Sequence, residues 1–141
     1  MNGSYSRRAF LMHLGLGTAA AVLLRPVGVG ASSVRATEHP DPRPDIDASG
    51  VLPRSEVEVY GAEVADIYDM VREMPQIADG IGCSCGCSAL PGYRSLLTCY
   101  HAAGMAMGCM ICQGTAKLVH GRWKEGQDLA RIRRACDARF G

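Results

Sequence analysis

GCSCGCS, residues 82–88, sets three cysteines among glycine and serine within seven positions. Adjacent thiols of a Cys-x-Cys-x-Cys run cannot pair with one another without strain. Each therefore has to find its partner, sulfur or metal, elsewhere in the chain. Gly82 and Gly86 release the backbone into conformations that a side-chained residue resists, which lets a short loop turn its thiols toward one centre. Four more cysteines follow, Cys99, Cys109, Cys112 and Cys136. All seven fall inside a unit of residues 55–141, a size at which a hydrophobic core alone is marginal and a staple or a metal is often required. The architecture is built around these sulfurs.

The segments flanking the loop read as short helices. Val57, Tyr60, Val64, Ile67, Tyr68, Val71 and Met74 recur at three- and four-residue intervals, with acids and Arg72 on the other face. Ser55 and Glu58 have the spacing of a capping box, and Gly61 marks a possible break. Pro75 ends this helix and suits the first turn of a brief second one reaching Ile81. Beyond the loop, Tyr93–Tyr100 forms a short helix, Cys109–Trp123 a longer one and Gln127–Phe140 the last, with Leu129, Ile132, Cys136 and Phe140 as its apolar face. No stretch alternates with a period of two. The expectation is an all-α fold: a small cysteine-rich bundle of short helices around a Cys-x-Cys-x-Cys loop, preceded by a signal peptide and a disordered linker.

Residues 4–12, SYSRRAFLM, carry paired Arg7 and Arg8 ahead of Phe10 and Leu11, and the apolar run LGLGTAAAVLL follows at 14–24. A basic start, an apolar middle and small residues ending Val29-Gly30-Ala31 are the layout of a signal peptide. The Ser-Arg-Arg-x-Phe-Leu form matches the twin-arginine signal of bacteria. We therefore expect residues 1–31 to direct export, periplasmic or extracellular, with cleavage after Ala31 or Ala36. The apolar run is well short of the roughly 20 residues that span a bilayer, so no stable membrane insertion is expected after cleavage. Residues 32–54 hold four prolines and scattered charge without apolar periodicity, the composition of a disordered or extended linker, with His39 in solvent.

Removing residues 1–31 takes away Arg7, Arg8 and Arg25 and no acid, so 15 basic against 14 acidic residues become 12 against 14. No basic patch interleaved with aromatics remains, so nucleic acid is not an expected partner. No Ser/His/Asp set, phosphate-cradling glycine loop or pair of carboxylates can be assembled, and the chain is read as a non-enzyme. The chemistry lies in the thiols.

Cys109 and Cys112, three apart at a helix start, lie on one face, where the positive end of the helix dipole favours thiolates. Cys83, Cys85, Cys87, Cys99, Cys109 and Cys112 together put six soft ligands within about thirty residues. Cys136 instead occupies a regular core position on the last helix and is read as a small buried hydrophobe. Three readings stand for the six. An exported protein meets an oxidising compartment, where clustered cysteines are usually disulfides, and three bridges are arithmetically possible with Cys136 left over. Twin-arginine export, however, carries folded proteins, often with a cofactor inserted where thiols are reduced, and this favours a metal site. A redox dithiol at Cys109/Cys112 is the third reading.

Met105, Met107, Met110 and His101 lie beside the second cluster, and thiolates with thioethers favour Cu(I). The methionines are equally suited to filling core gaps. Zinc is satisfied by four thiolates and ranks second. An iron–sulfur cluster also takes four, but the Cys-x-Cys-x-Cys spacing is not a ferredoxin pattern, and it ranks third. His120, one turn before Trp123, is read as a partly exposed helix residue.

Cys83-Ser84-Cys85-Gly86-Cys87, Tyr93-Arg94-Ser95-Leu96-Leu97-Thr98-Cys99, Cys109-Met110-Ile111-Cys112 and the closing Leu129-Ala130-Arg131-Ile132-Arg133 resemble the PCYCGC-motif family of bacterial exported proteins over roughly residues 75–140. Gly82 stands for the family's proline and Ser84 for its tyrosine. Many members resemble lipoproteins acylated at a cysteine, but no cysteine precedes Cys83 here, so lipid anchoring is not implied. The resemblance implies export and the same six-cysteine core, without a reaction. The functional expectation is an exported protein that binds a soft metal ion, Cu(I) first, to sequester it or hand it on. The alternative is a disulfide-stapled structural or interaction domain without metal.

Overall fold

The structure, a computed structural model, describes residues 37–141. The segment read as a signal peptide, both candidate cleavage sites and the first residues of the linker lie outside the described residues. Among those described there is no strand, only a single antiparallel bridge between Val51 and His101. The architecture is all-α. Helices α1 (Arg54–Val57), α2 (Ala62–Glu73), α3 (Pro75–Asp79), α4 (Met110–Lys124) and α5 (Leu129–Phe140) are joined by 3-10 turns at Glu58–Tyr60, Cys87–Ala89 and Leu97–Tyr100.

The apolar periodicity places the long helices well. Gly61, at φ 116°, separates α1 and its 3-10 turn from α2, so the expected break is where the pattern marked it. The α2 helix buries Ala65, Ile67, Tyr68 and Val71, and α4 buries Cys112, Thr115, Ala116 and Val119. The α5 helix closes the bundle with Ile132 and Cys136. Pairwise, α2 packs on α4 and α4 on α5. Tyr68 and Tyr100 meet edge-on at 4.7 Å between ring centroids, and the Tyr100 hydroxyl donates to the Cys112 carbonyl at 2.9 Å. That bond ties the 3-10 turn holding Cys99 to the first turn of α4.

Two local expectations are corrected. The capping box at Ser55 does not form, because α1 begins at Arg54 with Pro53 as its N-cap and no capping side chain. Tyr93–Tyr100 is not a full helix but a loop ending in the 3-10 turn Leu97–Tyr100.

Residues 37–53 contain no helix or strand, yet they are bound to the domain. Arg43 donates through its backbone N–H and its guanidinium to the buried Asp79 carboxylate, both at 2.9 Å. Arg133 donates to the Pro40 carbonyl at 2.6 Å, and Leu52 N–H to the Tyr100 carbonyl at 3.1 Å. Val51 is buried in the core. His39 is not in solvent: its side chain is 10% exposed. Its Nδ1 accepts the Gly82 N–H at 2.9 Å, which leaves Nε2 to donate to Asp137 at 3.0 Å. These partners lie 36 to 98 residues away, a distance no local pattern reports.

Candidate metal centre

Three elements converge on the loop. Cys83, Cys85 and Cys87 come from residues 83–87, where Gly86, at φ 83°, takes the left-handed conformation that turns the chain back and lets the 3-10 turn Cys87–Ala89 begin. Cys99 comes from the turn Leu97–Tyr100 and points its Sγ toward the Ser95 carbonyl at 3.7 Å. Cys109 is the N-cap of α4, its Sγ accepting the Cys112 N–H at 3.4 Å, and Cys112 lies in the first turn. The positive end of α4 thus faces the sulfurs, and no acid occupies that first turn.

The sulfurs form a connected set. Cys83 lies 3.2 Å from Cys85 and 3.4 Å from Cys112, and Cys85 lies 2.8 Å from Cys87 and 3.7 Å from Cys112. Two groups of three have all ligand atoms within 4.8 Å of one another: Cys83, Cys99 and Cys112, and Cys85, Cys109 and Cys112. Metal–sulfur bonds of about 2.3 Å in a tetrahedron put sulfurs about 3.8 Å apart; the Cys112 contacts at 3.4 and 3.7 Å come near that spacing, and the Cys85–Cys87 pair at 2.8 Å is closer. All seven cysteines are free thiols.

Burial grades across the set. Cys83, Cys87, Cys99 and Cys112 are buried, whereas Cys85 and Cys109 are half-buried. The neighbouring thiols of Cys112 and Cys99 hold the Cys83 pKa far below the ordinary thiol value, at about 2, against the opposing effect of burial. The same contacts, together with burial, push Cys112 upward. Burial and the Cys87 contact push Cys85 up to about 12.

The loop is also held from outside. Thr37 and Ser84 hydroxyls meet at 2.9 Å, and the His39 ring receives the Gly82 N–H. An added Cβ at Gly82 would stand 2.4 Å from the Glu38 carbonyl oxygen. Sequence reading assigned Gly82 its place for conformational freedom; close approach of the 37–39 segment is the reason instead. No signal in the sequence could have paired Thr37 or His39 with this loop.

Other candidate ligands are placed elsewhere. His101 belongs to neither group of three, and its ring lies against Gly50. His120 bonds Glu73 at 3.0 Å. Cys136 is buried on α5 outside both groups, its pKa pushed up to about 12 by burial. Met107 packs on the core, but Met105 and Met110 are 43% and 85% exposed and fill no core gap. Clustered thiols of this kind are able to hold a metal ion. The chain matched no family model, no curated protein and no solved structure.

Proposed function

We propose that this is an exported protein that binds Cu(I) through the thiolates of Cys83, Cys85, Cys87, Cys99, Cys109 and Cys112, sequestering the ion or handing it on. The observation that carries the reading is the sharing of neighbours. Cys112 and Cys85 each have several sulfurs in reach, whereas a disulfide requires exclusive pairs. Metal ligands have no such requirement.

Copper ranks ahead of zinc and iron–sulfur because thiolates with thioethers nearby in the sequence suit Cu(I), and the Cys-x-Cys-x-Cys spacing is not a ferredoxin pattern. The exposed thioether of Met110, next to Cys109, adds a soft donor on the half-buried side. The twin-arginine-like start supports export after folding, and the likeness to PCYCGC-motif proteins supports the six-cysteine core. The role is binding rather than catalysis.

Each ligating thiol must lose its proton, so affinity falls as pH falls, and binding is coupled to folding because the loop and α4 are joined through the ion. Anaerobic native mass spectrometry of the reduced chain with one equivalent of Cu(I) or Zn(II), followed by thiol alkylation of protein recovered from its own compartment, tests the reading. Bound copper that outcompetes zinc, with six or seven alkylatable thiols, supports it. No metal and a single alkylatable thiol would replace it with the disulfide-stapled domain.

A further inference from the structure

Given a thiolate metal site, the question is how many ions the six sulfurs hold. Cys83, Cys99 and Cys112 form one group and Cys85, Cys109 and Cys112 another, with only Cys112 common to both. The groups are not remote from each other, since Cys83 and Cys85 stand 3.2 Å apart and each lies within 3.7 Å of Cys112. The set is a strip of sulfur triangles that share edges, with Cys87 attached to Cys85 at 2.8 Å.

A single ion at one end of this strip leaves the sulfurs of the other end unused, and one held by Cys83, Cys85 and Cys112 in the middle leaves out Cys99 and Cys109. We infer that the thiols hold a thiolate-bridged group of at least two Cu(I) ions, the Cys112 sulfur shared between an inner triangle with Cys83 and Cys99 and an outer triangle with Cys85 and Cys109. This rests on the metal reading above and adds its nuclearity.

Ligand counting sets how the ions share sulfurs. Two tetrahedral ions that share one thiolate require seven donors, and two that share a pair of thiolates use all six. Two three-coordinate ions that share one require five, which the two triangles supply, and Cys87 belongs to neither triangle. Each S–H that becomes a ligand releases its proton to solvent, and the ion stays Cu(I), so no oxidant or reductant enters.

The two triangles differ in access. The inner one is wholly buried, while two of the three outer sulfurs are half-buried. The outer ion exchanges with solvent or with an incoming donor, and the inner ion is retained.

The test is an anaerobic titration of the reduced full chain with the acetonitrile complex of Cu(I), followed by native mass spectrometry and X-ray absorption. The expected result is two or more ions per chain with a Cu···Cu scattering path. A chelator specific for Cu(I) should then remove one ion at least tenfold faster than the other. Cys109→Ser and Cys99→Ser should each retain one ion, and Cys112→Ser should lose both at a chelator concentration that the native chain withstands. Because Cys112 is buried and its variant can misfold, the half-buried Cys109 variant decides. Saturation of the native chain at one ion, two ions without a Cu···Cu path, or a Cys109→Ser chain that keeps two ions would overturn the shared thiolate while leaving a copper site standing. A reduced chain that binds no Cu(I) would overturn the proposed function itself.

Discussion

The backbone N–H of Gly82 donates to His39 Nδ1 at 2.9 Å, and a Cβ at the same position would meet the Glu38 carbonyl oxygen. A side chain there has to displace the backbone of residues 37–39, so Gly82→Ala should cost about 1–3 kcal/mol, the range of overpacked sites. Chemical denaturation of the metal-free chain measures it, and unchanged midpoints would mean that this segment does not brace the loop. Gly82→Pro should be at least as harmful, since proline also lacks the donated N–H. Among the thiols, Cys85→Ser should loosen the fold and lower metal content, because Cys85 contacts Cys83, Cys87 and Cys112. Cys136→Ala should cost about 1 kcal/mol of core packing and leave metal content unchanged. Equal metal content in both variants, read by elemental analysis, would break the assignment of Cys85. Sequence position separates Cys136, on an apolar helix stripe, from the cysteines of the loop, the 3-10 turn and the start of α4.

The helices show where pattern reading works and where it stops. For α5, the pattern located the stripe of Ile132 and Cys136, and the structure adds Asp128 as N-cap, accepting the Arg131 N–H at 2.8 Å. Asp128→Ala should lower stability by about 1 kcal/mol without touching the thiols, measurable as a shifted unfolding midpoint with unchanged metal stoichiometry. At α1 the same kind of pattern misplaced the start. Ser55 has the residues of a capping box around it, but the chain enters from Val51 and Leu52, pinned by burial and by the bond to Tyr100, and becomes helical at Arg54. A long-range contact overrode a local motif. In α4 the local and long-range signals agree: the spacing of Cys109 and Cys112 puts both sulfurs at the helix start, and the loop meets them there.

At the scale of the whole molecule, the Asp79 carboxylate fastens three parts of the chain, accepting from Arg43, Arg94 and Ser95. Burial alone would raise its pKa, but these donors outweigh burial and lower it from 3.8 to about 2. A folded-state value below the unfolded one means that its stabilisation is complete above about pH 4 and is lost as pH falls toward 2. The loss should be on the order of 2 kcal/mol, and Asp79→Asn should flatten that part of the acid-unfolding profile. A profile as steep as that of the native chain would remove Asp79 from this role. By itself the sequence determined the helical class and the long helices, because helix periodicity is a local property. Only the tertiary structure decided which sulfurs come together, that Cys112 is common to both groups, and that residues 37–53 are bound to the domain. Those are contacts between segments tens of residues apart, settled by which side chains find hydrogen-bond and packing partners once the helices have assembled.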